Sequence, residues 1–330
     1  MPAAVSRNVA VLCLVAACLG WALSFPVMKA LSLHQSALLP GVDSWFISAW
    51  CLALRFGLAA VILALVLLPR LRHFTRRETE QAVAMGLVTA GGMLLQMDGL
   101  SWTEASTSAF LTQAYVVFIP IWLALRYWRR PHALVIAAVL LVLVGGGILA
   151  QVDPTRLALG RGELETLAAA AVFTVQILMI ESPRYAGNDA LRMSSLAFGI
   201  TAVALLPVVF VSAPNPAALW LAYAQAGPLL CLSLLVLFST LGAMVLMFVF
   251  QPRVGALAAG ITYGCEPVFA SVLAMVLPVW LSGLLDISYA NETLTPRLIL
   301  GGILVLAAVV LIQFAPKGGT RDPGDRTQPD

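Results

Sequence analysis

Apolar residues fall into ten long blocks along the chain, separated by short polar or breaker-rich joints. The blocks cover roughly 9–31, 46–69, 81–101, 104–126, 132–152, 163–182, 190–212, 227–250, 254–280 and 296–315. A helix needs about 20 apolar residues to cross a hydrocarbon layer, so each block predicts one spanning helix. Between Arg192 and Arg253 there is no charged residue, and the turn signal "SAPNPAA" at Ser212–Ala218 parts that stretch into two spans. The third and fourth blocks are divided at "GLSWTEAS", and residues 218–226 read as an interfacial extension of the eighth. The expected fold is an all-α membrane protein of ten transmembrane helices.

Composition supports the same class. Of 330 residues, 61% are hydrophobic and 11% charged, against about 25% charged in soluble domains; mean hydropathy is +0.94. A soluble fold of this size could not cover that much apolar surface. "VAAC" at Val15–Cys18 resembles a lipoprotein cleavage signal, but the apolar run continues through Trp21 to Met28, which favours a first spanning helix. All five cysteines lie inside apolar blocks without metal-ligand spacing, and His34, His73 and His132 fall in or beside predicted loops. No metal site and no cofactor are expected. The expected partners are the lipid bilayer and a small-molecule substrate, with no nucleic acid; the pattern sets no oligomeric state.

The positions of Lys and Arg orient the chain. With the N-terminus in the cytoplasm, the inside joints hold Arg7, Arg70, Arg72, Arg76, Arg77, Arg126, Arg129, Arg130, Arg184, Arg192, Arg253, Lys317, Arg321 and Arg326. The outside joints hold only Arg156, Arg161 and Arg297, and Lys29 and Arg55 lie within helices. An excess of basic residues marks the cytoplasmic side, so both termini are expected there. The setting this implies is a bacterial inner (plasma) membrane.

The two halves resemble each other. "RFGLAAVILALVLLP" at Arg55–Pro69 matches "RMSSLAFGITAVALLP" at Arg192–Pro207, and "PHALVIAAVLLVLV" at Pro131–Val144 parallels "PRLILGGILVLAAV" at Pro296–Val309. "YVVF" at Tyr115–Phe118 occupies the place of "EPVF" at Glu266–Phe269. Five helices per half is odd, so the repeats cross in opposite senses: 9–152 and 163–315, followed by a disordered cytoplasmic tail at 316–330. Inverted repeats are a mark of alternating-access transporters.

Ten helices in a 5+5 repeat, "GWALSFPVMKA" in the first helix, an Arg opening the apolar stretch of the second, and "EPVFASVLAMV" followed by "TPRLILGGILVL" together resemble the drug/metabolite transporter superfamily, EamA-like branch, over about 9–315. The departure is the ninth-to-tenth connection, "LPVWLSGLLDISYANETLTP", which is longer than the family's Gly-Glu turn; its 281–295 segment is an insertion placed outside. "LRYWRRP" after the fourth helix also lacks that turn. The resemblance implies movement of small organic metabolites, amino-acid-like or drug-like, more often by export. An intramembrane enzyme acting on a lipid-linked substrate is the alternative, set back by the absence of clustered Asp, His and Glu on one side of the membrane.

The candidate substrate-binding residues are Trp21, Ser24, Arg55, Gln96, Gln113, Tyr115, Gln176, Tyr263 and Glu266; no catalytic residue is expected. Trp21, Ser24, Phe25 and Met28 share one helical face, above Pro26, which leaves the Ala22 carbonyl without a helical partner. That face lines a cavity or packs. Arg55 and Glu266 sit deep in apolar blocks, where an ionised group costs about 2.5–3.5 kcal/mol even on lenient scales. Arg55 is either an anchor for a substrate carboxylate or a structural partner of helix carbonyls or of Glu266. Glu266 either lines the cavity, holding an amine or a proton, or is a packing acid. The glutamines are expected to point inward, each able to act simply as an interhelical hydrogen-bonding group. Lys29, Asp98 and Glu181 read as solvated rim charges.

Overall fold

A computed structural model describes residues 6–70, 74–103, 105–127, 131–149, 160–293 and 295–314. The expected tail at 316–330 lies outside these residues, as do Arg72, Arg129, Arg130 and Arg156. Every regular element among the described residues is helical. Among the described residues, eight helices are long and apolar enough to cross a membrane, and two shorter apolar helices, Ala133–Gly145 and Ile299–Ala308, occupy the fifth and tenth blocks.

The first three blocks form α1 (Arg7–Leu38), α2 (Ser44–Val66) and α3 (Arg76–Trp102). α1 runs past its expected end because Ser32, His34 and Gln35 are buried and keep a packed face. His34 is therefore helical rather than in a loop, and its Nδ1 lies 2.8 Å from the Leu285 carbonyl oxygen. Asp43 caps α2 by accepting the Trp45 N–H.

The fourth block is two half-helices, α4 (Ala105–Thr112) and α5 (Tyr115–Tyr127). At the break, Gln113 and Ala114 donate their N–H groups to Phe110 and Leu111, three residues back, at 2.9 and 3.1 Å. This tightens the last turn and ends the ladder. The fifth to seventh blocks follow as α6 (Ala133–Leu149), α7 (Arg161–Ile180) and α8 (Ala190–Ser212).

Residues 218–226 do not extend the eighth block. Asn215 accepts the Ala218 N–H and starts a separate short helix, α9 (Pro216–Leu221), before α10 (Ala226–Leu234). A π-helical segment, Leu235–Met244, then leads into α11 (Val245–Val254).

The ninth block is three pieces: α12 (Ala256–Tyr263), α13 (Glu266–Ala274) and α14 (Leu277–Leu285). Pro267 and Pro278 fall at the second positions of α13 and α14, where a missing N–H costs little. The 281–295 segment is tied back through Ser282 to Tyr289 and through the Asn291 side chain to the Val279 N–H. α15 (Pro296–Gln313) closes the chain.

α1 runs through the middle, against the π segment, α11, α12 and α13. α7 makes the corresponding contacts with α3, α4 and α5; α2 packs on α8, and α6 on α15. The α3–α7 crossing is close: a Cβ added at Gly99 would come within 2.7 Å of the Gly162 carbonyl oxygen.

Glu78 secures the opposite end of α3. One carboxylate oxygen accepts the Thr75 N–H at 2.8 Å while the Thr75 hydroxyl accepts the Glu78 N–H, a capping box. The other oxygen accepts the Asp189 N–H at 3.0 Å and the Arg192 guanidinium at 2.5 Å. One buried carboxylate thus ties the starts of α3 and α8 together. Arg192, one of the basic residues assigned to the cytoplasmic joints, is held in this pair.

Candidate functional site

The two broken helices meet at the centre. Tyr115 opens α5 and Glu266 opens α13, so the Glu266 carboxyl stands at the positive end of a half-helix. α4 packs on α13, and Gln113, at the first break, donates Nε2 to Glu266 Oε2 at 3.2 Å.

A cavity opens beside this junction, offering about 70 Å³ to the centre of a water-sized sphere. One water needs about 10–15 Å³ on that measure, so several waters or a small polar molecule fit. Eight of the nine candidates line it: Trp21 and Ser24 from α1, Arg55 from α2, Gln96 from α3, Tyr115, Gln176 from α7, Tyr263 and Glu266. Gln113 stands behind Glu266, buried, with its Oε1 unpartnered among the described residues.

Trp21, Tyr263 and Tyr115 form an edge-to-face aromatic wall, with centroids 5.2 Å apart for Trp21–Tyr263 and 6.4 Å for Tyr115–Tyr263. The Tyr263 hydroxyl donates to Gln251 Oε1 at 3.0 Å, which fixes its ring. Ser24 donates to the Trp21 carbonyl at 2.6 Å, inside its own helix. Gln96 donates to Thr112 Oγ1 at 3.0 Å, whereas Gln176 Nε2 is buried without a partner among the described residues. Phe25 and Met28, on the Trp21 face of α1, are packed in the core instead.

Arg55 is 1% exposed. Its Nε donates to Thr240 Oγ1 at 2.6 Å, and NH1 contacts the Met28 sulfur at 3.5 Å. Among the described residues its structural partners are therefore a hydroxyl and a thioether, not helix carbonyls or Glu266. Thr240 lies in the π segment, whose wide turn carries that hydroxyl to the guanidinium. Neither Arg55 nor Glu266 enters an ion pair among the described residues.

The expected rim charges are corrected. Asp98 has no exposed side-chain surface and pairs with Arg161 at 2.6 Å. Lys29 is half-buried and donates to the Leu100 and Thr103 carbonyls at 3.0 and 2.9 Å, capping the end of α3. Glu181 is half-buried beside Gln251. These groups sit where helices end, but neighbouring helices cover them.

Met93, Phe173, Ile177, Met244 and Met247 also line the cavity, and sequence reasoning missed them. An apolar residue in an apolar block gives no sign of whether it faces lipid, a neighbour or a cavity.

Residues 8–150 match the EamA-like transporter family. An uncharacterized transporter of Archaeoglobus fulgidus is 25% identical over 234 residues, covering 70% of this chain and 67% of that protein. A solved crystal structure that names no activity aligns with a TM-score of 0.65 at 17% identity, covering 93% of this chain and 97% of the other. That likeness concerns the fold alone.

Proposed function

From the match of residues 8–150 to the EamA-like transporter family and from the geometry of the central cavity, we propose a secondary transporter working by alternating access. The protein is an integral multi-pass membrane protein and a membrane transporter. The finer reading has ten spans in two inverted repeats, 9–152 and 163–315, with both termini cytoplasmic, in a bacterial inner membrane. The contacts support it: α1 meets the eighth and ninth blocks as α7 meets the third and fourth, while second meets seventh and fifth meets tenth.

The substrate in this reading is a small organic metabolite, amino-acid-like or drug-like, moved outward. One observation carries it: a buried guanidinium and a buried carboxyl line the same cavity without pairing with each other. A membrane protein holds such groups where they face water or a ligand. A dipolar molecule would give its carboxylate to Arg55 and its amine to Glu266, with its apolar part on the aromatic wall and the methionines.

Metabolite profiling of cells and medium, with and without overexpression, tests this. One class of small dipolar metabolite should be depleted from cells and enriched in medium with the wild type, and not with Arg55→Gln. Unchanged profiles from a well-expressed protein would count against the reading.

A further inference from the structure

A second group of ionisable side chains lies outside the cavity, on the α3–α7 seam. The Gly99–Gly162 crossing brings the two backbones together, and Asp98 and Glu165 flank it. Arg161 bridges them, with NH2 2.6 Å from Asp98 Oδ2 and Nε 2.7 Å from Glu165 Oε1. Both carboxyl groups thus face one guanidinium at the crossing. Asp98 Oδ1 and Glu165 Oε2 are both enclosed, and neither has a partner among the described residues.

With all three groups ionised, the cluster carries one net negative charge. It also carries two enclosed oxygens with no donor among the described residues. Such atoms are rare in native proteins, and two adjacent carboxylates resist ionising together. A single proton resolves both problems. Asp98 Oδ1–H donates to Glu165 Oε2, and Arg161 donates to the two remaining oxygens. The result is a closed ring of three hydrogen bonds with zero net charge.

We propose that Asp98, Glu165 and Arg161 form a proton-binding site of this transporter, with the proton held on Asp98 and shared with Glu165. A metal cation suits the site less well, since hard cations take about six or more oxygen ligands and two carboxylate oxygens here already face Arg161. Asp98 holds the proton because its side chain has no exposed surface, whereas Glu165 is 15% exposed and opens the route to water.

The other described charges at this end do not supply the missing donor. Lys29 of α1 donates to Leu100 and Thr103, Glu163 of α7 accepts from the Thr103 hydroxyl, and Asp43 caps α2. The Ser44 hydroxyl accepts the Trp102 indole N–H and can turn its own proton toward Asp98, yet Oδ1 has no partner among the described residues. Trp102 and Trp45 flank the Arg161 guanidinium, at 4.7 and 6.0 Å. Because α3 and α7 also carry Gln96, Phe173 and Gln176 into the cavity, gain or loss of this proton acts on the seam that shapes the substrate site. Only that consequence rests on the transporter reading; proton binding does not.

Infrared difference spectra of the full-length protein in lipid nanodiscs, taken through H2O/D2O exchange, test the proposal. A Glu266→Gln background removes the other buried acid at the centre. At neutral pH this parent should show a protonated-carboxyl band that shifts in D2O, and Asp98→Asn should abolish one carboxyl's worth of it. Glu165→Gln should abolish the same band although Asp98 is intact, because Asp98 then pairs with Arg161 as a neutral couple. If Asp98→Asn does not fold, Glu165→Gln alone decides. The proposal is overturned if the parent lacks the band, or if the band survives in Glu165→Gln as burial of Asp98 alone would have it. The spectra need no substrate, so this result and the outcome of transport assays stand apart.

Discussion

Glu266 receives a side-chain hydrogen bond from Gln113 and lines the cavity. Arg55 is held by Thr240 and Met28. Each charge is positioned by neutral groups, so removing one leaves the scaffold contacts of the other in place. Glu266→Gln and Arg55→Gln should therefore accumulate in the membrane near wild-type levels yet lose most transport, as read by metabolite release from cells matched for expression. Trp21→Ala should impair transport more than abundance, because it removes one side of the aromatic wall; equal loss of both would make Trp21 a packing residue. These polar and aromatic positions were legible in the sequence for an energetic reason: an Arg, Glu or Gln in an apolar block must point away from lipid. Asp98 was legible only as a charge near a helix end. Its burial depends on α7 crossing α3, which no local pattern states.

Among the elements, breaks and crossings carry the site. The break before Glu266 is written in Pro267. The break at Gln113–Ala114 has no proline or glycine to announce it, and the lone Gly242 does not mark out the π segment that brings Thr240 to Arg55 from an ordinary helix. The blocks themselves were readable because hydrophobic length is a strong signal, and most predicted bounds lie close to the observed helices. The Gly99 crossing gives a sharp test. A methyl group there meets the Gly162 carbonyl at 2.7 Å and Thr166 Oγ1 at 2.8 Å, so the helices must part. Gly99→Ala should lower the thermal midpoint in detergent at a cost of about 1–3 kcal/mol. Gly91→Ala, in the same helix with nothing within 4 Å, should hold or raise it, since Ala is the better helix former by about 1 kcal/mol. A similar loss at both positions would mean that α3 is sensitive throughout rather than at its crossing with α7.

At the scale of the whole molecule, the ten-span reading makes a topological prediction. Reporter fusions at Arg76 and at the C-terminus should give cytoplasmic signals, and fusions at Pro216 and Asn291 external ones; a cytoplasmic signal at Asn291 would remove one crossing from the second half. The two end clusters make α3 a strut, fixed to α8 by Glu78 at one end and to α7 through Asp98 at the other. Replacing Glu78 by Ala should lower stability by about 1–3 kcal/mol, the loss of hydrogen bonds to a buried charged group, read as an earlier thermal midpoint in detergent. That carboxylate also sets an order of assembly. While the chain is being made, Glu78 can complete its capping box with Thr75 at once, but its second oxygen has no native partner until Asp189 and Arg192 have left the ribosome. The first half must therefore wait in the membrane with one end of α3 half-finished, so the two halves mature together and a chain stopped before Asp189 gives quality-control proteases an unfinished helix end to grip.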